Sequence, residues 1–141
     1  MAKAARLVRD DAYEEMGSAY QCVLIAILDA ALREHGVRSA ATRRKVADSF
    51  LFALGEFHDS GWLRPADGAA PVYPLLCFTE RFLNVDTPTA VLGTVYAPSA
   101  YFAFHEYAQS CVAACYAGDP AGRVERGFVG AEDGPEPDAA S

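Results

Sequence analysis

Apolar side chains recur at steps of three and four along three stretches of the chain, and each stretch reads as a helix with one buried face. From Asp10 onward Tyr13, Met16, Tyr20, Val23, Leu24, Ile27, Ala31 and Leu32 fall on one side, which predicts a first helix over 10–35. Asp10, Asp11, Glu14 and Glu15 crowd its first turns and Arg33 and His35 its last, as the helix dipole favours, and Gly36 ends it. Ser39 can cap a second helix, in which Val46, Phe50, Ala53, Leu54 and Phe57 form the expected inward stripe and Gly61 stands just past the end. Gly55 costs that helix about 1 kcal/mol relative to alanine, so a close neighbouring backbone is the expected reason for it. The third stretch, 98–118, places Tyr101, Phe104, His105, Ala108, Cys111, Val112 and Cys115 on one face between a Pro98–Ser99 start and a Gly118–Asp119–Pro120 stop. It reads as the core helix.

Between the second and third helices the period changes. Trp62–Leu63–Arg64, a turn-rich Pro65–Gly68 and the run from Val72 to Phe78 predict a β-hairpin at about 61–78, its second strand kept to an edge by Pro71 and Pro74. The spacing of Leu75, Thr79, Phe82 and Leu83 also allows a short helix there, and Thr87–Pro88 opens another toward Tyr96. Residues 1–9 form a short basic arm. Residues 119–141 read as a linker and acidic tail, disordered over 131–141, because Gly, Pro, Ala and acids offer little to bury. The fold class expected is mainly α (α+β): three to four packed helices, one β-hairpin and a disordered acidic C-terminal tail, with a single helical domain over 10–118.

Composition narrows the function classes. A chain of 141 residues is one domain's worth, and 52% hydrophobic against 22% charged residues suits a globule. A net charge of −7 and a pI near 4.8 oppose binding to nucleic acid or to anionic membrane. No apolar run follows the basic residues of the N-terminus, so a signal peptide is not expected and a cytoplasmic location is. The uncharged run 87–104 is long enough to consider as a membrane span, but its prolines, glycine and hydroxyl residues argue for an interior segment. Cys22, Cys77, Cys111 and Cys115 sit in apolar surroundings with no CxxC pair, as expected of buried thiols. Cys111 and Cys115 share a helix face, and a metal there would need Cys22 or His105 to converge on them.

No phosphate-binding loop, dinucleotide fingerprint, nucleophile elbow or zinc pattern occurs, and no metal or cofactor is expected. Three candidate sites compete. His58–Asp59 and His105–Glu106 each put a histidine beside a carboxylate, and an acid/base or metal-dependent enzyme would need His58 and His105 to meet across the fold. Arg38, Arg43, Arg44 and Lys45 cluster at the start of the second helix, where the dipole disfavours cations and free N–H groups favour an anion. A helix–helix–hairpin order with a basic second helix also superficially matches a winged helix-turn-helix, but Phe50, Phe52, Leu54 and Phe57 make that helix core-like and the chain is acidic. Finally, the first and core helices carry more apolar girth than a small domain covers, which points to a self-associating or interaction protein, with Leu24, Phe102 and Tyr107 at the interface of a homodimer or with another protein. That is the expected function.

Overall fold

The computed structural model describes residues 4–130 and is built on three helices: α1 (Ala12–Glu34), α2 (Ala40–Ser60) and α3 (Phe104–Ala117). Their ends follow the local chemistry. Ser39 accepts the Thr42 N–H at the head of α2, Gly36 adopts a positive φ after α1, and Gly118 closes α3 in the left-handed region at φ 72°. The core helix nevertheless begins six residues past Pro98, since 98–103 make a turn that carries Phe102 inward, with its N–H donating to Ser99.

The expected hairpin is corrected. Its two arms meet only at a single antiparallel bridge, Leu63 to Val72, because Pro71 and Pro74 deny the ladder the N–H groups on either side. The regular strands are instead β1 (Arg6–Val8), from the N-terminal arm, and β2 (Thr94–Tyr96), paired parallel with Leu7 opposite Val95. Tyr96 also bridges Phe78 antiparallel, which ties the long 61–93 connection to this small sheet. The short helices expected at 75–84 and 87–96 reduce to one 3-10 turn, Thr89–Leu92. A second 3-10 turn, Pro120–Gly122, packs on α3 so tightly that a Cβ on Gly122 would stand 2.8 Å from the Cys115 Cα. The linker is thus ordered at its start; the disordered tail expected over 131–141 lies outside the described residues.

Two clusters make the interior. Cys22 and Ile25 from α1, Ala47 and Leu51 from α2, and Ala108, Cys111 and Val112 from α3 fill one. Tyr13, Phe102 and Phe104 fill the other, beneath Leu76, Phe78 and Tyr96 from the connection and β2.

The inward face of α2 is a second correction. Arg43, Ala47, Leu51 and Gly55 point inside, while Val46, Phe50 and Phe57 of the expected stripe are 38%, 49% and 42% exposed. The reason is steric. At Gly55 the α3 backbone comes so near that an added Cβ would lie 2.7 Å from the His105 N, and Ala47 keeps the same seam thin, so a face of phenylalanines would hold the helices apart. α1 is also turned, burying Tyr13, Gly17, Gln21 and Ile25 and leaving Ile27 half exposed. In length and composition α1 could cross a membrane, a test that the core helix of a soluble protein also passes; here it packs on α2 and α3.

Candidate functional site

The end of α2 and the start of α3 hold the histidine candidates. α3 starts at Ala103 without a side-chain cap of its own, and Asp59 supplies one from α2: its carboxylate accepts the Phe104 N–H at 2.7 Å and the His105 N–H at 3.0 Å. The same carboxylate lies 2.5 Å from His105 Nδ1. That hydrogen bond, reinforced by the charges of Asp59, Glu106 and Glu56, raises the His105 pKa against the opposing pull of burial. His105 and Asp59 are therefore brought together as a cap with an attached ion pair, and Glu106 stays exposed on the next position.

His58 takes other partners. Its ring leans on Phe104, centroids 5.1 Å apart, while His105 sets its ring edge-on to Phe52. His58 Nδ1 is buried without a hydrogen-bond partner, as are both amide atoms of Gln21, which is 2% exposed. Both side chains line one hollow between α1, α2 and α3, about 10 Å³ in volume. That is the space of roughly one water molecule, far below the few hundred Å³ of an organic ligand's pocket. His58 and His105 share no hydrogen bond or ring contact, and the arrangement shows neither a nucleophile–base pair nor room for a substrate between them.

The basic cluster divides. Arg43 is 5% exposed, donating from Nε to Asp29 at 2.6 Å and from Nη1 to the Val37 and Arg38 carbonyls at 3.0 and 2.8 Å. Asp29 also accepts from the Tyr116 hydroxyl at 2.7 Å and pairs with Arg33 at 2.9 Å. Burial alone would push the Asp29 carboxyl up; the hydrogen bonds from Tyr116 and Arg43 and the two guanidinium charges outweigh it and hold it below the usual carboxylate range. Burial and Asp29 together push the Tyr116 hydroxyl up to about 12. This network ties α1, α2, the intervening turn and α3, and it occupies Arg43, one of the four cations the sequence offers to an anion. Arg38, Arg44 and Lys45 remain exposed. The helix start is therefore populated by one structural arginine and three solvated cations.

Cys22 does converge on Cys111 and Cys115, but the thiols donate to backbone carbonyls instead, Cys22 to Ala121, Cys111 to Ser18 and Cys115 to Gly122. Burial first, then the neighbouring thiol, pushes Cys111 and Cys115 up to about 12, so both are protonated at neutral pH and poor as nucleophiles or ligands. Among the described residues no group of His, Cys, Asp and Glu is arranged to hold a metal ion.

The residues expected at an interface make contacts inside the subunit, with Phe102 buried and Leu24 and Tyr107 partly buried. Phe102 is 8% exposed and fills a slot opened by Gly17, where a Cβ would come 2.6 Å from its ring; Tyr107 stacks on Phe102 at 4.9 Å, and Leu24 packs against the first cluster. Large apolar side chains stay exposed in the 61–93 connection, among them Trp62, Tyr73, Leu75, Phe82 and Val85, at Tyr101 and Phe128, and along the outer face of α2. Val46, Phe50, Ala53 and Phe57 recur there at helical spacing, and Lys45, Val46, Ser49 and Phe50 frame a shallow open groove. The signal was present in the sequence as a helical stripe, but periodicity does not say which of two faces is buried. No family model, curated protein or solved structure matches the chain.

Proposed function

We propose that the protein works by association rather than catalysis, and that it associates with itself through the outer face of α2. The observation that carries this is the uncovered stripe Val46, Phe50, Ala53, Phe57, four apolar positions within roughly 60° of arc and about 16 Å of helix. A helix normally buries such a face, and here α1 and α3 cover the other side. Burying the two half-exposed phenylalanines and Val46 in each subunit removes a few hundred Å² of apolar surface, at about 25 cal/mol per Å² before association costs. His105 and Arg43 have structural partners that account for them, which favours the association reading over an enzyme built on the two histidines and over an anion site at Arg43.

The test is the mass in solution. Light scattering coupled to gel filtration at micromolar protein should give about twice the 15.1 kDa chain mass. Phe50→Asp should return it to the monomer with helical circular dichroism intact, since Phe50 is not part of the subunit core. A monomer at that concentration removes the proposal.

A further inference from the structure

The same face is complementary to itself when one copy is turned around, and we infer that two copies pair through antiparallel α2 helices about a two-fold axis near positions 51–52. This rests on the association reading above and adds the partner's orientation and register. Three features of α2 point to it. The first is shape: the stripe has Phe57 near one end and, near the other, the groove framed by Lys45, Val46, Ser49 and Phe50. An antiparallel copy centred on the stripe lays its Phe57 over that groove and its Val46 over the first copy's Phe57, a knob into a hole at each end. Ala53 and Ser49, near the middle, are small enough to let the backbones approach.

The second feature is charge. Lys45 and Glu56 both lie roughly a quarter turn to the same side of the stripe, at opposite ends of it. Neither forms an ion pair with another described residue. Same-side flanks face one another in an antiparallel pair, so each Lys45 meets the second copy's Glu56, twice per dimer. In a parallel pair the two copies of that flank lie on opposite sides of the seam, so Lys45 and Glu56 find no such partner. The third is the dipole. α2 carries Arg44 and Lys45 near its positive end and Glu56 and Asp59 near its negative end, the reverse of what an isolated helix favours. An antiparallel neighbour brings the opposite end of its own dipole beside each group. Because the interface is the same patch on both copies, the assembly closes at two and leaves no free apolar end for further addition.

Charge reversal decides the register. The dissociation constant is measured by sedimentation at low salt for the full chain and for Lys45→Glu, Glu56→Lys and the double variant. Each single reversal places like charges together at two points and should weaken the dimer about tenfold, and the double variant should return to within about twofold of the parent. The loss should shrink at high salt. A dimer that both single variants leave unchanged overturns the antiparallel register while the association itself stands. A chain that is monomeric before any substitution overturns both. Circular dichroism of each variant guards against loss of fold, which is not expected of two exposed side chains.

Discussion

Arg43 illustrates how one residue type reads differently before and after folding. In the sequence it is a cation among cations; in the fold it is the residue whose guanidinium satisfies Asp29 and two turn carbonyls in the interior. Its neighbour Arg44 is exposed. Arg43→Ala leaves Asp29 short of its partner in a poorly solvated site and should cost about 3–5 kcal/mol of unfolding free energy, whereas Arg44→Ala should stay within about 0.5 kcal/mol. Urea denaturation of the two variants checks this, and equal effects would mean that the buried pair is not what holds the turn. His105 makes a pH-dependent contribution of definite sign. Its pKa is raised in the folded chain above the ordinary 6.5 by Asp59, so the stabilisation is fully present below pH 6.5 and is lost as pH rises through the raised value. The stability difference between the parent and His105→Gln should therefore narrow as pH goes from about 6 to about 9, measured by denaturant midpoints. Asp59 keeps its two backbone hydrogen bonds in that variant, so the cap on α3 stays in place.

At the scale of elements, the α2–α3 seam is the most tightly specified contact. Helix propensity alone says that Gly55→Ala stabilises α2 by about 1 kcal/mol. The seam says the opposite, because the new methyl would stand 2.7 Å from the His105 N and 2.8 Å from its Cα, backbone atoms that move only if α3 moves. Overpacking of this kind typically costs 1–3 kcal/mol, so Gly55→Ala should lower the thermal midpoint, and a rise would show that the helices are not in contact there. The expectation that Gly55 marks a close backbone was readable from the sequence, since a glycine inside an apolar helix needs a reason. The limits of α1 and α2 and the end of α3 were readable too: Ser39, Gly36, Gly61 and Gly118 act on their own few neighbours. The start of α3 was not, because its cap is Asp59, forty-five residues away along the chain. β1 was missed for a like reason. A strand of three residues has no period to detect, and its partner is β2, on the far side of α1, α2 and the long connection.

For the whole molecule, the chain distributes its apolar side chains unevenly between inside and outside. The interior uses many small or slender groups, Ala47, Ala108, Cys22, Cys111 and Gly55, while Phe50 and Phe57 face outward beside Val46. The exposed phenylalanines are why the proposed association moves from the girth of α1 and α3 to the outer face of α2. The residues expected at the interface, Leu24, Phe102 and Tyr107, have contacts in their own subunit: Phe102 fills the room Gly17 makes, Tyr107 stacks on Phe102, and Leu24 borders the α1–α2–α3 core. The sequence by itself determined the mainly helical class, the ends of α1 and α2, the close of α3, the turn-rich connection and the one glycine that demands a close approach, since each follows from groups within a turn or two of one another. The tertiary structure alone decided which face of α2 is inside, which partner each buried charge takes and how β1 meets β2. Those depend on groups distant in sequence competing for the same space, and a stripe of phenylalanines is equally apolar whether it faces its own subunit or another.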